Sequence, residues 1–133
     1  MRKILSIVVF AILLITCGCT VIKSDNEKRK DVDYTITDYN QVPDEVKKII
    51  DEKKAEKFSA VFSDPENTYI LIGFGRKESD GYSISLDEIY ESDTDIFVKT
   101  TFKGPEEVAK IKEETYPYII IKIEYTEKGV NIL

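Results

Sequence analysis

The first 22 residues contain the feature that most restricts the fold, an uncharged and almost wholly apolar stretch. Arg2 and Lys3 precede it, Ser6 is the one polar side chain within residues 4–15, and the next charge is Lys23. Such a stretch has no polar face for water and does not suit the surface of a globular domain. The residues that follow must form the globular part of this 133-residue chain, and they are enough for one domain.

The end of this stretch, Thr16-Cys17-Gly18-Cys19, resembles the lipobox of bacterial lipoproteins. In a lipobox, small or apolar residues precede a cysteine that is lipidated and becomes the first residue once the signal peptide is removed. Gly18 directly before Cys19 fits this pattern, so Cys19 is the predicted lipidation site. Cys17 is the alternative, because Leu14 at its −3 position fits the pattern better than Thr16 does for Cys19.

An uncleaved membrane anchor is the alternative interpretation of the same stretch. Residues 4–22 carry no charge, and these 19 residues approach the roughly 20 that an α-helix needs to cross a bilayer. The lipoprotein interpretation is favoured, because an anchor gives no reason for two cysteines at its outer end. Both interpretations predict a protein at the cell membrane whose domain lies on the extracytoplasmic face. In the first, several acyl chains on Cys19 would form a stable anchor, since each buried CH2 contributes about 0.8 kcal/mol.

The chain is therefore expected to divide into three parts. Residues 1–18 are predicted as a lipoprotein signal peptide, residues 19–31 as the lipidated cysteine and a flexible linker, and residues 32–133 as a single globular domain. The linker is assigned because the residues after Ile22 are nearly all polar and show no apolar periodicity. From Val32 onward the pattern changes to that of regular secondary structure.

The residue types that are missing restrict the chemistry of the domain. Histidine and tryptophan are absent, and Cys17 and Cys19 are the only cysteines. The sequence therefore argues against His-dependent catalysis, cysteine nucleophiles and His/Cys zinc sites, and we predict no enzymatic activity, cofactor or metal. The net charge of −6 would become −8 if cleavage before Cys19 removed Arg2 and Lys3. So acidic a domain is not expected to bind nucleic acid.

Hydrophobic periodicity predicts an α+β domain with a predominantly antiparallel sheet of five to seven strands and one clear helix. The helix is expected over residues 43–57, because Pro43 suits a first turn and Val46, Ile49 and Ile50 follow at helical spacing. Alternating or continuously apolar segments predict strands at residues 33–37, 58–62, 68–76, 82–86, 96–102, 118–125 and 130–133. Short polar turns between most of them favour antiparallel pairing. Residues 105–111 are expected to form either a short helix or an ordered loop.

Residues 68–76 are predicted to form a central strand that is buried on both faces. The apolar side chains are Tyr69 and Leu71 on one face and Ile70, Ile72 and Phe74 on the other. Gly73 and Gly75 share the face of Tyr69, which predicts a close approach by another element or a bulge.

Two segments resemble the PrcB C-terminal domain family. Residues 71–84 are similar to its hairpin, in which a strand ending in glycine, a Thr-Gly-Gly-Tyr turn and a second strand follow one another. Gly81-Tyr82 match the second half of that turn, whereas Ser79 and Asp80 stand in place of Thr and Gly. The run Thr115-Tyr116-Pro117-Tyr118 is similar to the family's Thr-x-Pro-Tyr before its last strong strand. Together the two matches cover about residues 58–125.

The resemblance implies a non-catalytic accessory lipoprotein that associates with, and stabilises, a surface or secreted protease complex. The candidate interaction residues are Gly81, Tyr82, Tyr116, Pro117 and Tyr118, because tyrosines supply large contact areas at protein interfaces. The same residues also permit a purely structural interpretation. Gly81 would supply a positive φ in a tight hairpin, and Pro117 would hold the residue before it extended at the start of a strand.

A small-ligand or protease-inhibitor-like domain is the alternative function. In this interpretation the Gly81-Tyr82 loop enters the cleft of a partner, in a way that resembles the Thr-Gly-Tyr loop of chagasin-type inhibitors. The partners predicted from the sequence are thus the membrane, through the lipid, and a second protein. A hydrolase ranks last, because no nucleophile and base stand out among the residues.

Two further patterns are too incomplete to predict a ligand. Gly73-Phe74-Gly75 lacks the third glycine and the following helix of a dinucleotide-binding fingerprint. Residues 91–95 alternate three carboxylates as calcium loops do, but without the central glycine and the distal glutamate. A solvated acidic turn is expected there instead.

Overall fold

The computed structural model describes residues 29–108 and 112–133, so the predictions for Cys17, Cys19 and the signal peptide lie outside the described residues. Within them there are eight strands and one α-helix. The helix is α1 (Asp44–Lys53), preceded by a 3-10 turn at Tyr39–Gln41. The strands are β1 (Lys30–Asp31), β2 (Tyr34–Thr37), β3 (Lys57–Ser63), β4 (Asn67–Phe74), β5 (Ser83–Glu91), β6 (Asp95–Lys103), β7 (Tyr118–Glu124) and β8 (Gly129–Ile132). No helix in this part of the chain is long and apolar enough to cross a bilayer.

The strands form two four-stranded sheets that pack face to face. The helix-side sheet has the order β2-β7-β4-β3, and the outer sheet has the order β1-β5-β6-β8. Neighbouring strands are antiparallel except for β6 and β8, which run parallel. The predicted α+β class with mostly antiparallel strands is confirmed. The parallel pair is possible because β7, in the other sheet, lies between β6 and β8 in the chain and serves as the crossover.

The strand beyond the predicted five to seven is β1, which lies in the segment that the sequence assigns to the linker. Its two residues, Lys30 and Asp31, pair with Glu91 and Tyr90 at the end of β5. Two polar residues carry no periodic signal, so this strand depends on its neighbour and not on a local pattern.

Two hydrophobic clusters hold the helix and the two sheets together. The cluster between the sheets contains Ile70, Ile72, Ile84, Ile89, Ile96, Val98, Ile121 and Ile123. The cluster between α1 and the helix-side sheet contains Val42, Val46, Ile50, Tyr69, Leu71 and Ile120. β4 and β7 contribute side chains to both clusters. The prediction that β4 is buried on both faces is therefore confirmed.

Helix α1 ends at Lys53, so the predicted end at residue 57 is wrong. Val46 and Ile50 are the buried residues of its apolar stripe, and no large apolar residue follows until Phe58. Another helical turn would bury nothing against the sheet. Lys57 instead lies opposite Phe74 and begins β3, so the chain gains backbone hydrogen-bond partners in β4 from Phe58 onward.

The glycines at the end of β4 allow the close approach that the sequence predicts. A Cβ atom on Gly73 would lie 2.2 Å from the ring of Phe58 on the neighbouring strand. Gly75 has a φ of +89°, and a Cβ atom there would lie 3.0 Å from the backbone nitrogen of Lys57. Both positions therefore favour glycine, and they bring the chain out of β4 and towards the loop that follows.

Candidate functional site

Two loops meet at one end of the two sheets, and we call this region the hairpin end: the first loop is residues 75–82, and the described parts of the second, between β6 and β7, are residues 104–108 and 112–117. Lys77 and Thr115 exchange two backbone hydrogen bonds, with N–H to carbonyl distances of 2.8 and 2.9 Å between nitrogen and oxygen. The hydroxyl of Thr115 also donates to the carbonyl oxygen of Ser79 at 2.8 Å. The two motifs that resemble the PrcB family are therefore joined directly.

The hydrogen bond from Thr115 to Ser79 involves one of the two positions at which this chain differs from the family turn. Ser79 and Asp80 replace the Thr and Gly of that turn. Thr115 contacts the backbone carbonyl of Ser79, and this acceptor is present whatever side chain stands at position 79. The connection between the two motifs thus tolerates the replacement at position 79.

Gly81 lies exposed in the first loop and has the positive φ that the sequence predicts, +89°. A Cβ atom on Gly81 would lie 2.7 Å from the Cβ atom of Pro105 in the second loop. Glycine is thus required here twice, for its backbone conformation and for the contact between the two loops. The Pro105 loop has no helix over residues 105–108, which agrees with the ordered-loop alternative, and residues 109–111 lie outside the described residues.

Tyr82 is half-buried in a small aromatic cluster at the start of β5. Its ring meets Phe74 edge to face, with 5.6 Å between centroids, and Phe74 in turn packs against Phe102 at 4.6 Å. The ammonium group of Lys77 lies 4.2 Å from the centroid of Phe74 and 5.4 Å from that of Tyr82. These contacts give Tyr82 a packing role in holding the hairpin against both sheets.

Tyr116 belongs to a charged network on the other side of the hairpin end. Its hydroxyl donates to the carboxylate of Glu114 at 3.1 Å, and Glu114 forms an ion pair with Arg76. The hydrogen bond from Arg76 lowers the pKa of Glu114, while the bond to Glu114 raises the pKa of Tyr116. The ammonium group of Lys54 lies 5.2 Å from the ring of Tyr116. Tyr116 therefore connects this loop to the end of α1.

Pro117 and Tyr118 hold the start of β7. The carbonyl of Pro117 accepts a hydrogen bond from the N–H of Phe74 at 2.8 Å, and Tyr118 pairs with Gly73. The side chain of Tyr118 packs against the cluster under α1, and its burial raises the pKa of its hydroxyl. Tyr82, Tyr116 and Tyr118 thus contact three different sets of neighbours. Their proposed role in binding stays a prediction.

A shallow groove beside Gly81 is the feature of the hairpin end that sequence reasoning missed. Its volume is about 410 Å3, and it lies between Gly81 on one loop and Pro105 and Val108 on the other. Val108 is 87% exposed, although its spacing in the sequence suits a residue of a short amphipathic helix. The charged residues that line the groove are Asp80, Glu106 and Glu107, which are acidic, and Lys103. No local pattern could reveal it, because it depends on contact between loops 24 residues apart, counted from Gly81 to Pro105.

The acidic turn between β5 and β6 lies at the opposite end of the outer sheet. The carboxylate of Asp95 accepts hydrogen bonds from the hydroxyl of Thr94 at 2.7 Å and from the amide of Asn131 at 3.1 Å, and both bonds lower its pKa. The hydroxyl of Ser92 accepts from the backbone N–H of Asp95 at 3.2 Å. Across residues 29–108 and 112–133, no three His, Cys, Asp or Glu side chains are grouped so that they could hold a metal ion.

Comparison with protein families matches part of the chain. The model of the PrcB C-terminal family matches residues 68–124, which extend from the first residues of β4 to the end of β7. The matched segment includes both motifs and the whole aromatic cluster of Tyr82. No curated protein and no solved structure shows significant similarity to the chain.

Proposed function

We propose that this chain is a non-catalytic protein-interaction module, because the model of the PrcB C-terminal family matches its residues 68–124. A lipid on Cys19 tethers it to the cell membrane, and its domain lies on the extracytoplasmic face. Its partner is another protein, and the family resemblance implies a surface or secreted protease complex. The hairpin end is the surface that binds this partner.

The observation that carries the proposal is that the loops of the hairpin end are bonded and packed against each other. Lys77 and Thr115 exchange two backbone hydrogen bonds, and Gly81 packs against Pro105. Loops that are held in place before binding lose little conformational entropy when a partner arrives, so more of the contact energy appears as affinity. An interaction module benefits from such a surface.

The groove beside Gly81 indicates what the partner should present. Val108 offers an exposed apolar contact, and Glu106 and Glu107 contribute negative charge to a lining that also contains Lys103. A complementary surface would place an apolar side chain against Val108 and basic side chains near the two carboxylates. Binding of this kind should weaken as the salt concentration rises.

The inhibitor-like alternative has less support. It needs Tyr82 to enter a cleft of the partner, but the ring is packed against Phe74 and lies beneath the ammonium group of Lys77. Withdrawing the ring would give up those contacts. Inhibition of a protease by the full chain, abolished by Tyr82→Ala, would favour the alternative over the proposal.

The partner is tested by affinity capture from membranes that contain the full chain. Val108→Glu should weaken capture of the partner at least about tenfold, because it replaces the exposed apolar contact of the groove with a charge that must be desolvated on binding. Val61→Glu is the matched control, since Val61 is also an exposed valine but lies in the middle of β3. Equal capture by the Val108→Glu variant and the unchanged chain would contradict the proposal, as would turnover of a substrate by the purified chain.

The lipid anchor is tested separately by mass spectrometry of the mature N-terminus. Cys19→Ala should abolish acylation and release the domain from the membrane, whereas Cys17→Ala should leave both unchanged. The reverse pattern would move the lipid to Cys17. An unmodified chain that begins at Met1 would show that the lipoprotein interpretation is wrong.

A further inference from the structure

Strand β3 is a free edge of the helix-side sheet. It has seven residues, and no strand of the described residues pairs with its outer side. The backbone N–H of Asp64 donates to the carbonyl of Asn67 at 2.9 Å, which sets the pairing pattern of the hairpin. Bonded and non-bonded positions alternate along an antiparallel pair, so residues 58, 60 and 62 bond to β4. Lys57, Ser59, Val61 and Ser63 direct their N–H and C=O groups outward.

Apart from Lys57 at its first position, this edge lacks the devices that normally keep edge strands from pairing. Between Lys57 and Asp64 there is no charge, no proline and no glycine, and β3 pairs with β4 without a bulge. Val61, in the middle of the strand, is 47% exposed. Such an edge is a template for another strand.

An apolar groove lies beside the same edge, between the helix-side sheet and the outer sheet. Its volume is about 220 Å3, and Ile72, Phe102 and Ile132 line it together with Ser59. Successive side chains of a strand added to β3 would point to opposite faces, and one set would lie over this groove. An apolar residue opposite Ser59 would cover it.

We propose that β3 pairs with β3 of a second copy of this chain, antiparallel and centred on Ala60. In this register Ser59 lies opposite Val61 of the second copy, so each exposed valine covers the groove of the other. Lys57 lies opposite Ser63 of the second copy. The two helix-side sheets become one continuous sheet of eight strands across a two-fold axis.

The charges at the two ends of β3 favour a second copy as the occupant. Lys57 lies at one end, and Asp64 and Glu66 follow at the other. Antiparallel pairing brings the lysine of each copy beside the acidic turn of the other. The ammonium group of Lys57 lies 4.7 Å from the centroid of Phe102, at the edge of the groove. It therefore stands on the side where the second copy would pack.

The other edge of the helix-side sheet shows the opposite charge pattern. β2 also has exposed apolar side chains, at Tyr34 and Ile36, but Asp33 and Asp38 flank it on both sides. Antiparallel pairing of two β2 strands would place like charges together at both ends. Self-pairing is thus expected at β3 and not at β2.

The test is sedimentation equilibrium of the full chain in a density-matched detergent, where we expect a dimer. Ser59→Pro should raise the dissociation constant of the dimer about a hundredfold. Each copy loses the hydrogen bond that its Ser59 N–H donates across the interface, and the loss of one such bond raises the constant roughly tenfold. The N–H of Ser59 points away from β4, so the domain should stay folded, which far-UV circular dichroism checks. Val61→Glu should have a comparable effect, and Val108→Glu should have none. A monomer at all concentrations, or a dimer that tolerates both Ser59→Pro and Val61→Glu, would overturn the proposal.

A second measurement does not depend on a proline variant. A photo-reactive amino acid in place of Val61 should cross-link two full chains in cells, and the same group in place of Val108 should not. Adducts from position 61 with another protein alone would overturn the proposal. The Val61→Glu and Val108→Glu variants also separate this inference from the proposed function, because each should disturb one interface and leave the other intact.

Discussion

The two sheets of this domain differ in the number of faces that they bury. In the helix-side sheet, the neighbouring residues Ile120 and Ile121 of β7 are both fully buried, although they point to opposite faces. In the outer sheet, Val98 of β6 is fully buried, but the next residue, Lys99, is exposed. The difference follows from α1, which covers one sheet. It shows why β4 and β7 have continuous apolar runs whereas β6 alternates.

The open face of the outer sheet is covered by its own side chains. Tyr90 and Phe97 lie opposite each other on β5 and β6, and their rings stack with 5.1 Å between centroids. The guanidinium group of Arg29 lies 3.9 Å from the centroid of Tyr90 and forms an ion pair with Glu88. A cross-strand pair of this kind stabilises a sheet by about 0.5–1.5 kcal/mol beyond area burial, far less than a second core.

The largest expected effects test this difference directly. Ile120→Ala and Ile121→Ala should each lower the free energy of unfolding by about 2–5 kcal/mol, because each leaves a cavity in one of the two cores. Val98→Ala should cost about 1–3 kcal/mol, and Lys99→Ala should stay within about 0.5 kcal/mol. Urea unfolding of the four variants measures these values. If Ile120→Ala cost no more than Lys99→Ala, α1 would not cover the helix-side sheet as described.

An intermediate effect is expected at the hairpin end, where the two sheets are linked. Gly81→Ala should destabilise the domain by about 1–3 kcal/mol, because alanine is strained at a φ of +89° and its Cβ atom would press on Pro105. Gly104→Ala is the matched control: a Cβ atom there meets only the ring of Tyr82, at 3.7 Å, an ordinary contact. Thermal unfolding should separate the two variants by several degrees. Equal stability of both would mean that the two loops are not packed together.

The smallest effect concerns pH and the loop before β7 in the helix-side sheet. The hydrogen bond from Arg76 lowers the pKa of Glu114 below its ordinary value of 4.5. The carboxylate of Glu114 therefore stabilises the folded domain above that value, and this contribution is lost as the pH falls through the lowered pKa. Glu114→Gln should flatten the stability profile slightly as the pH falls below 4.5, and Glu113→Gln should not. Identical profiles for both variants would show that the Arg76 ion pair does not form in solution.

Local sequence patterns predict a large part of the fold and a smaller part of the candidate site. The apolar positions of β4 and the positive φ of Gly81 follow from neighbouring residues, and the structure confirms both. The end of α1 does not follow from neighbouring residues, because residues 54–57 suit a helix. They form a turn and the start of β3 only because Lys57 lies opposite Phe74 on β4. The exposure of Val108 could not be predicted from local sequence either, since it depends on how the loop of Val108 packs against the Gly81 loop.

The sequence by itself determined where this chain alternates, where it turns and which residues resemble the PrcB family, because periodicity and glycine conformations act over a few neighbouring positions. Only the tertiary structure decided that Lys77 meets Thr115 and that Tyr82, Tyr116 and Tyr118 have separate surroundings. It also decided that β3 has a free edge and that β8 runs parallel to β6. These features arise from hydrogen bonds and contacts between segments far apart in the chain. The pairing that forms depends on how all the strands bury their apolar faces at once.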